Sequence, residues 1–240
     1  MMQISRKNYN LINHMIAESW NKNVYIRAED IINGTDKSYV NVIEPWVINE
    51  VLRYTNQKSK ILDIGCGCGY LTNSIYNMER TNIEGIDISE NSINYAKKMF
   101  PNIYFSCQDV CLLETNNIYD LCISVMVLNN LPDIRLFFCN IYKLLNKNGR
   151  VIITIPHPCF WPDRHVKNKG FDYMVERDYR ISFATKGRKD YLAPISYFHR
   201  PVEIYASSIK EFGFKIEKVV ELLEEKNQSN PDILGIILSK

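Results

Sequence analysis

Four residues, Ile61, Leu62, Asp63 and Ile64, run directly into three glycines at alternate positions, Gly65, Gly67 and Gly69. The apolar run is short and stopped by turn formers, which suits a buried strand. The glycines let the backbone turn tightly and let a ligand approach it closely. Residues 70–78 then take up helical spacing. A strand passing through a glycine turn into a helix implies a parallel sheet with helices against it.

The rest of the chain repeats this alternation. Residues 82–86 suit a second strand, and 89–100 a helix with Ser89 as its cap and Pro101 beyond its end. Residues 103–106 and 119–124 suit a third and a fourth strand, 133–146 a helix stopped by Lys147, Asn148 and Gly149, and 149–155 a fifth strand. Residues 201–212 suit a helix opened by Pro201 and followed by Gly213, and 214–222 and 232–239 a final antiparallel pair. Ahead of all this, residues 9–55 have helical character, with an apolar stripe at 11, 12, 15, 16 and 20 and a second helix at 44–54. The expected fold is α/β: a Rossmann-like, doubly wound, seven-stranded sheet whose last strand is antiparallel. Residues 1–57 form an N-terminal helical cap and 58–240 the ligand-binding domain. Residues 156–200 form an irregular insertion after strand five, too long for an ordinary connection and read as an acceptor-site lid.

Composition limits the function classes. The 240 residues are 46% hydrophobic and 12% aromatic, enough apolar surface to bury a core and to argue against disorder. The 29 basic and 27 acidic residues leave a charge of +2, without the basic excess of a general nucleic-acid binder. No segment has the ~18 apolar residues of a membrane span. Arg6 and Lys7 are not followed by an apolar core, so no secretory signal is expected and a cytoplasmic location is. The seven cysteines are scattered, most of them in apolar runs, as reduced buried thiols would be; Cys66 and Cys68 lack the second pair that a zinc site needs, and no metal is expected.

The ligand class follows from the acidic residues around the glycines. Asp87 ends the second strand about 20 residues past the glycine turn, where a carboxylate can accept hydrogen bonds from both ribose hydroxyls of a nucleoside. The glycines are spaced G-x-G-x-G, not the G-x-G-x-x-G that faces a pyrophosphate, so an NAD-dependent oxidoreductase is disfavoured. Asp63, just before the loop, suits a ligand with a positive group.

With these residues in order, the chain resembles the class I S-adenosylmethionine-dependent methyltransferases. The stretch from Asp63 to Gly69 matches that family's first motif and Asp87 its second. Residues 106–110 resemble the third, 119–133 the fourth and 145–153 the entry to strand five. The resemblance implies S-adenosylmethionine as cofactor and a role for each matching residue. Gly65, Cys66, Gly67 and Gly69 shape the cofactor bed. Asp63 lies near the amino acid moiety, Asp87 holds the ribose and Ile88 packs on adenine. Asp109 and the Val110 backbone meet the adenine edge, and the backbone around Val125 the methionine portion.

Methyl transfer needs a base only when the acceptor carries a proton that must leave. His157 follows strand five and His199 precedes the next helix, so both return to the cofactor edge and are candidate catalytic bases. Each has a second reading, as a cap or a partner of its own loop. The nine aromatics of 156–200, Phe160, Trp161, Phe171, Tyr173, Tyr179, Phe183, Tyr191, Tyr197 and Phe198, either wall an acceptor pocket or form the lid's own core. Asn129, Asn130 and Asp133 could line the same chamber, with Asp133 equally suited to cap a helix. Tyr9, Trp20, Tyr25 and Tyr39 are placed to close over the cofactor, with core packing the stronger reading for Trp20.

The expected activity is methyl transfer to an oxygen or nitrogen of a small molecule, such as a secondary-metabolite intermediate, by a monomer or homodimer without a membrane or nucleic-acid partner. An RNA (tRNA) methyltransferase and a non-catalytic cofactor-binding partner subunit stand as alternatives. Residues 156–200 carry nine basic groups (Arg164, Lys167, Lys169, Arg177, Arg180, Lys186, Arg188, Lys189, Arg200) against five acidic ones, +4 on a body of −2. This is either ordinary solvated surface or a field that steers an anionic acceptor.

Overall fold

A computed structural model describes residues 5–166, 170–182, 193–223 and 230–240. Of the lid expectations, Lys167, Lys169, Phe183, Lys186, Arg188, Lys189, Asp190 and Tyr191 lie outside the described residues, as do the side chains of Asp163 and Arg164.

The glycine turn sits where the sheet changes direction. Strand β1 (Ile61–Ile64) pairs in parallel with β2 (Ile83–Asp87) on one side and β4 (Tyr119–Val125) on the other. Beyond β2 lies β3 (Tyr104–Cys107), and beyond β4 lies β5 (Leu145–Pro156). Two later strands, β8 (Lys215–Leu222) and β9 (Ile233–Ser239), complete the order β3-β2-β1-β4-β5-β9-β8. β9 runs antiparallel to both β5 and β8, so it alone is reversed. The chain winds outward in opposite senses from β1 and from β4, which leaves a crevice at their carboxyl ends.

Helices cover both faces because the buried residues of each strand alternate between them. On one face Ile61, Ile123 and Ile152 pack against α2 (Glu44–Tyr54), through Val47 and Val51, and α3 (Tyr70–Tyr76), through Leu71 and Ile75. Next to them α4 (Glu90–Met99) packs Ile93 and Ala96 on Phe105. On the other face Leu62, Cys122 and Ile153 meet α5 (Ile134–Leu144) and α7 (Val202–Glu211). Phe137 and Phe138 of α5 are fully buried, and their rings meet edge to face at 5.3 Å. Truncating such a ring to alanine costs about 3–5 kcal/mol. The helix starts are set locally: Ser89 accepts from the Ser92 N–H at 3.1 Å, and Asp133 from the Arg135 N–H at 2.8 Å. Asp133 therefore takes the capping alternative.

Four expectations are corrected. Helix α5 ends at Leu144 and β5 begins at Leu145, so Lys147, Asn148 and Gly149 lie inside the strand. The pairing of β4 with β5 shifts register between Tyr119 and Leu121, which takes up the extra residues that resembled a helix stop. Helix α3 stops at Tyr76, before Met78. Residues 156–200 are not irregular throughout: they hold α6 (Trp161–His165) and an antiparallel pair, β6 (Arg177–Ile181) with β7 (Ile195–His199). Trp161, Tyr179, Ile181, Ile195 and Tyr197 form that segment's own core, with Trp20 and Phe171 against it. Finally, the stripe at 11, 12, 15, 16 and 20 coincides only in part with the buried face of α1 (Arg6–Ile32). Leu11 and Met15 are exposed, whereas Tyr9, Asn13, Ile16, Ser19, Asn23 and Val24 are buried. A helix that covers a polar ligand cavity turns a mixed face inward, not its most apolar one.

No helix among the described residues is long and apolar enough to cross a membrane.

Candidate functional site

A cavity of about 180 Å³ lies between the carboxyl ends of β1, β2 and β4 and the inner face of α1. Nine of the ten residues expected to hold the cofactor line it: Asp63, Gly65, Cys66, Gly67, Asp87, Ile88, Asp109, Val110 and Val125. The tenth, Gly69, stands behind the wall as the N-terminal cap of α3.

The loop backbone needs glycine for different reasons at different positions. Gly65 and Gly67 both have left-handed φ, +68° and +52°. A Cβ on Gly65 would fall 2.3 Å from Val127 Cγ2, so that glycine lets the loops after β1 and β4 touch. A Cβ on Gly67 would meet nothing within 4 Å. Gly67 borders the cavity, and its bare backbone leaves that space free.

Three carboxylates define the electrostatics. Asp87 Oδ2 accepts from the Gly67 N–H at 2.9 Å and Oδ1 from the Ser89 N–H at 2.8 Å. Burial raises its pKa, against those bonds. Asp63 is 1% exposed and accepts from the Thr72 hydroxyl at 2.6 Å. Burial, opposed by Thr72 and reinforced by Asp87, pushes its pKa up to about 7. Asp109 is held by α1: Oδ2 accepts from Asn13 Nδ2 at 2.7 Å and from the Tyr9 hydroxyl at 3.1 Å, while Oδ1 accepts from the Cys111 N–H at 2.9 Å. Against these three acids the described lining offers one strong cation, Arg27, which is ion-paired with Asp36 and lies over the Tyr39 ring at 5.3 Å. A cavity so charged favours a ligand with hydroxyls and positive groups over a pyrophosphate.

Helix α1 supplies residues that sequence reasoning largely missed. Asn13, Ile16, Trp20, Val24, Arg27 and Ile31 face the cavity at successive three- and four-residue steps. Their spacing is helical, but polar and apolar members are mixed, so a search for apolar periodicity passes over them. Asn21 fastens the helix to α4: its Oδ1 accepts from the Ser89 hydroxyl at 2.8 Å and the Asn91 N–H at 3.1 Å. Of the aromatics expected to close the site, Trp20 and Tyr39 line it and Tyr9 reaches Asp109. Tyr25 is 73% exposed and packs on Tyr95 outside.

Neither His157 nor His199 lines this cavity. His157 is buried, its Nδ1 accepts from the Cys159 N–H at 3.2 Å, and its Nε2 is 3.1 Å from Glu221 Oε1. Because Nδ1 accepts, Nε2 carries the proton and donates to Glu221. His199 donates from Nε2 to the Tyr173 carbonyl at 2.9 Å, with the Tyr197 hydroxyl 3.5 Å from Nδ1. Burial lowers the pKa of both. His157 thus bonds to Glu221 of β8 and His199 to the backbone of the segment after β5, in keeping with their second reading as partners of local structure. Of the other chamber candidates, Asn130 lines the cavity, while Asn129 and Asp133 do not. Cys66 and Cys68 border it as thiols whose pKa burial raises, for Cys68 to about 12, which leaves them unreactive. The basic segment also divides: Arg200 is buried and bonded to backbone carbonyls, so it adds nothing to a steering surface.

Residues 55–226 match the family model described as "Methyltransferase domain", and residues 1–106 match the model for protein-L-isoaspartate(D-aspartate) O-methyltransferase. The chain is 23% identical over 229 residues to the ubiquinone biosynthesis O-methyltransferase of Rickettsia canadensis, covering 93% of this chain and 89% of that protein. Aligned stretches range from 39% of one curated relative's length to 89% of another's. Among solved structures, magnesium protoporphyrin IX methyltransferase from Synechocystis PCC 6803, with bound SAH, superposes with a TM-score of 0.68 at 16% identity, over 95% of this chain and 99% of that one. The 1,6-didemethyltoxoflavin-N1-methyltransferase of Burkholderia thailandensis superposes with a TM-score of 0.65 at 14% identity, over 100% of this chain and 92% of that one.

Proposed function

The chain belongs to the class I S-adenosylmethionine-dependent methyltransferases, and on that premise we propose that it transfers a methyl group to an oxygen or nitrogen of a small molecule. The observation that carries this reading is the convergence of Asp63, Asp87 and Asp109 with the glycine loop on one cavity.

The cofactor, when bound, supplies an electrophilic methyl group on a sulfonium. The cavity has a group for each other part of that molecule. Asp63 would hold the ammonium, the Asp87 lone pairs left by Gly67 and Ser89 would take the ribose hydroxyls, and Ile88, Asp109 and Val110 would hold the adenine. Asp109 already accepts from Tyr9 and Asn13, so adenine binding draws α1 into the same network.

With no histidine on the described wall, catalysis rests mainly on holding acceptor and methyl group in line, an effect worth ~7–11 kcal/mol. The acceptor side of this proposal is α1 at Trp20 and the loop after β4 at Met126 and Asn130. Small-molecule acceptors are supported by relatives acting in ubiquinone biosynthesis, on magnesium protoporphyrin IX and on 1,6-didemethyltoxoflavin.

The reading is tested with methyl-labelled S-adenosylmethionine offered against panels of phenols, alcohols and amines, and against total tRNA. Label on at least one small molecule is expected. Label on tRNA alone overturns the small-molecule assignment.

A further inference from the structure

Arg200 has left the surface altogether. It is 5% exposed, and its guanidinium donates to the carbonyls of Leu131 at 2.6 Å, Pro132 at 3.1 Å, Leu128 at 3.3 Å and Phe198 at 3.4 Å. Its Nε is 3.8 Å from Glu176 Oε2. Three of the four carbonyls belong to the loop after β4. That loop contains the short 3₁₀ turn Leu128–Asn130, whose end leaves carbonyls without helical partners. Arg200 itself follows β7, so a single side chain joins the segment 156–200 to the cavity wall.

The wall it joins is strained. Met126 has φ +57°, a left-handed conformation rare for a side chain of its size, and it lines the cavity with Val127, Asn130 and Leu131. Such a backbone persists only where its surroundings over-determine it, and it concentrates at functional sites. Here the surroundings are identifiable. The Met126 N–H donates to the Thr154 carbonyl at 2.9 Å. Asn130 Nδ2 donates to the Met126 carbonyl at 2.9 Å. Gly65 abuts Val127 from below. Arg200 holds the far end of the same loop at Leu128, Leu131 and Pro132.

We infer that Arg200 is a positioning residue that fixes the loop after β4 from the end of β7, so that the cofactor wall and the β6–β7 pair are set together. The fork of a guanidinium suits this task, since it reaches several carbonyls at once in fixed directions; a lysine keeps the charge but not the fork. The inference rests on the cofactor reading given above.

The test is calorimetric titration of S-adenosylhomocysteine into the full chain as wild type, Arg200→Lys, Arg200→Met and Ile181→Ala, with a thermal melt of each. Ile181 belongs to the core around β6 and β7, and its hydrocarbon side chain carries no hydrogen-bond donor for the loop. Arg200→Met is expected to weaken the ligand by about tenfold or more, and Arg200→Lys by less, because partner loss at a charged hydrogen-bonding group is graded with the donors kept. Ile181→Ala is expected to lower the melting temperature and keep wild-type affinity. Wild-type affinity in Arg200→Met overturns the inference, as does an equal loss in Ile181→Ala at equal destabilisation. If Arg200→Met does not fold, Arg200→Lys decides, and wild-type affinity there overturns it. A wild type that binds no ligand removes the cofactor reading, and this inference with it.

Discussion

Asp87 accepts a hydrogen bond from the backbone N–H of Gly67, at 2.9 Å across 20 residues of sequence. The contact ties the end of β2 to the middle of the glycine loop, so the carboxylate proposed to take the ribose also shapes the cradle beside it. Asp87→Asn keeps an oxygen for Gly67 but loses the charge and one acceptor. Cofactor affinity is expected to fall about 10- to 100-fold, the equivalent of about 1.5–3 kcal/mol for hydrogen bonds to a charged group. Calorimetry on the variant checks this, with circular dichroism to show that the fold is kept.

The two left-handed glycines separate stability from binding. Gly65→Ala drives a Cβ to 2.3 Å from Val127 and strains the backbone, so it is expected to cost more stability than Gly67→Ala. Gly67→Ala carries only the left-handed cost of roughly 1–2 kcal/mol. Its methyl group occupies the open space by the cavity, so its ligand affinity falls although it folds. Denaturant melts and ligand titrations on both variants should give opposite rankings.

Asp63, with its pKa raised to about 7, makes cofactor binding depend on pH. If the proposed ammonium site is right, the ionised carboxylate is the binding form, and affinity is expected to weaken as pH falls below 7, towards tenfold per unit. Binding at pH 6.5 should release protons, visible as a buffer-dependent heat. Stability of the ligand-free protein moves the other way. The folded pKa lies above the unfolded 3.8, so the contribution present below pH 3.8 is lost as pH rises through 7. Asp63→Asn should therefore flatten both profiles and stabilise the ligand-free protein above pH 7, while weakening the cofactor.

The histidines give the converse case. Both are buried and hydrogen-bonded away from the cavity. His157→Ala and His199→Ala are expected to lose about 1–3 kcal/mol of stability by leaving buried partners unpaired. Cofactor affinity should stay near that of the wild type. A selective loss of turnover in either variant, with unchanged affinity and a full melt, contradicts this placement.

The sheet was legible because its signals are local. Runs such as Ile61 to Ile64 and Ile152 to Ile155 are apolar on both faces, as buried parallel strands are, and the glycines announce the turn. Ser89 and Asp133 mark helix starts through bonds to N–H groups within three residues. What escaped depends on contacts distant in sequence. Asn13 meets Asp109 across 96 residues, and nothing within α1 singles it out. The alternation of buried Tyr179 and Ile181 with exposed Arg180 is a strand signal, but it sits in a segment whose length suggested irregularity. His157 and His199 had the right chain position for bases. Their ring nitrogens point towards Glu221 and Tyr173, contacts that chain position alone does not give.

The central claim, that this cavity holds S-adenosylmethionine, is tested most directly by titrating S-adenosylmethionine and NAD separately into the folded wild type at pH 8, where Asp63 is ionised. The account predicts saturable one-to-one binding of S-adenosylmethionine, lost in Asp87→Ala, and no heat from NAD. Binding of NAD with none of S-adenosylmethionine at millimolar concentration would contradict it.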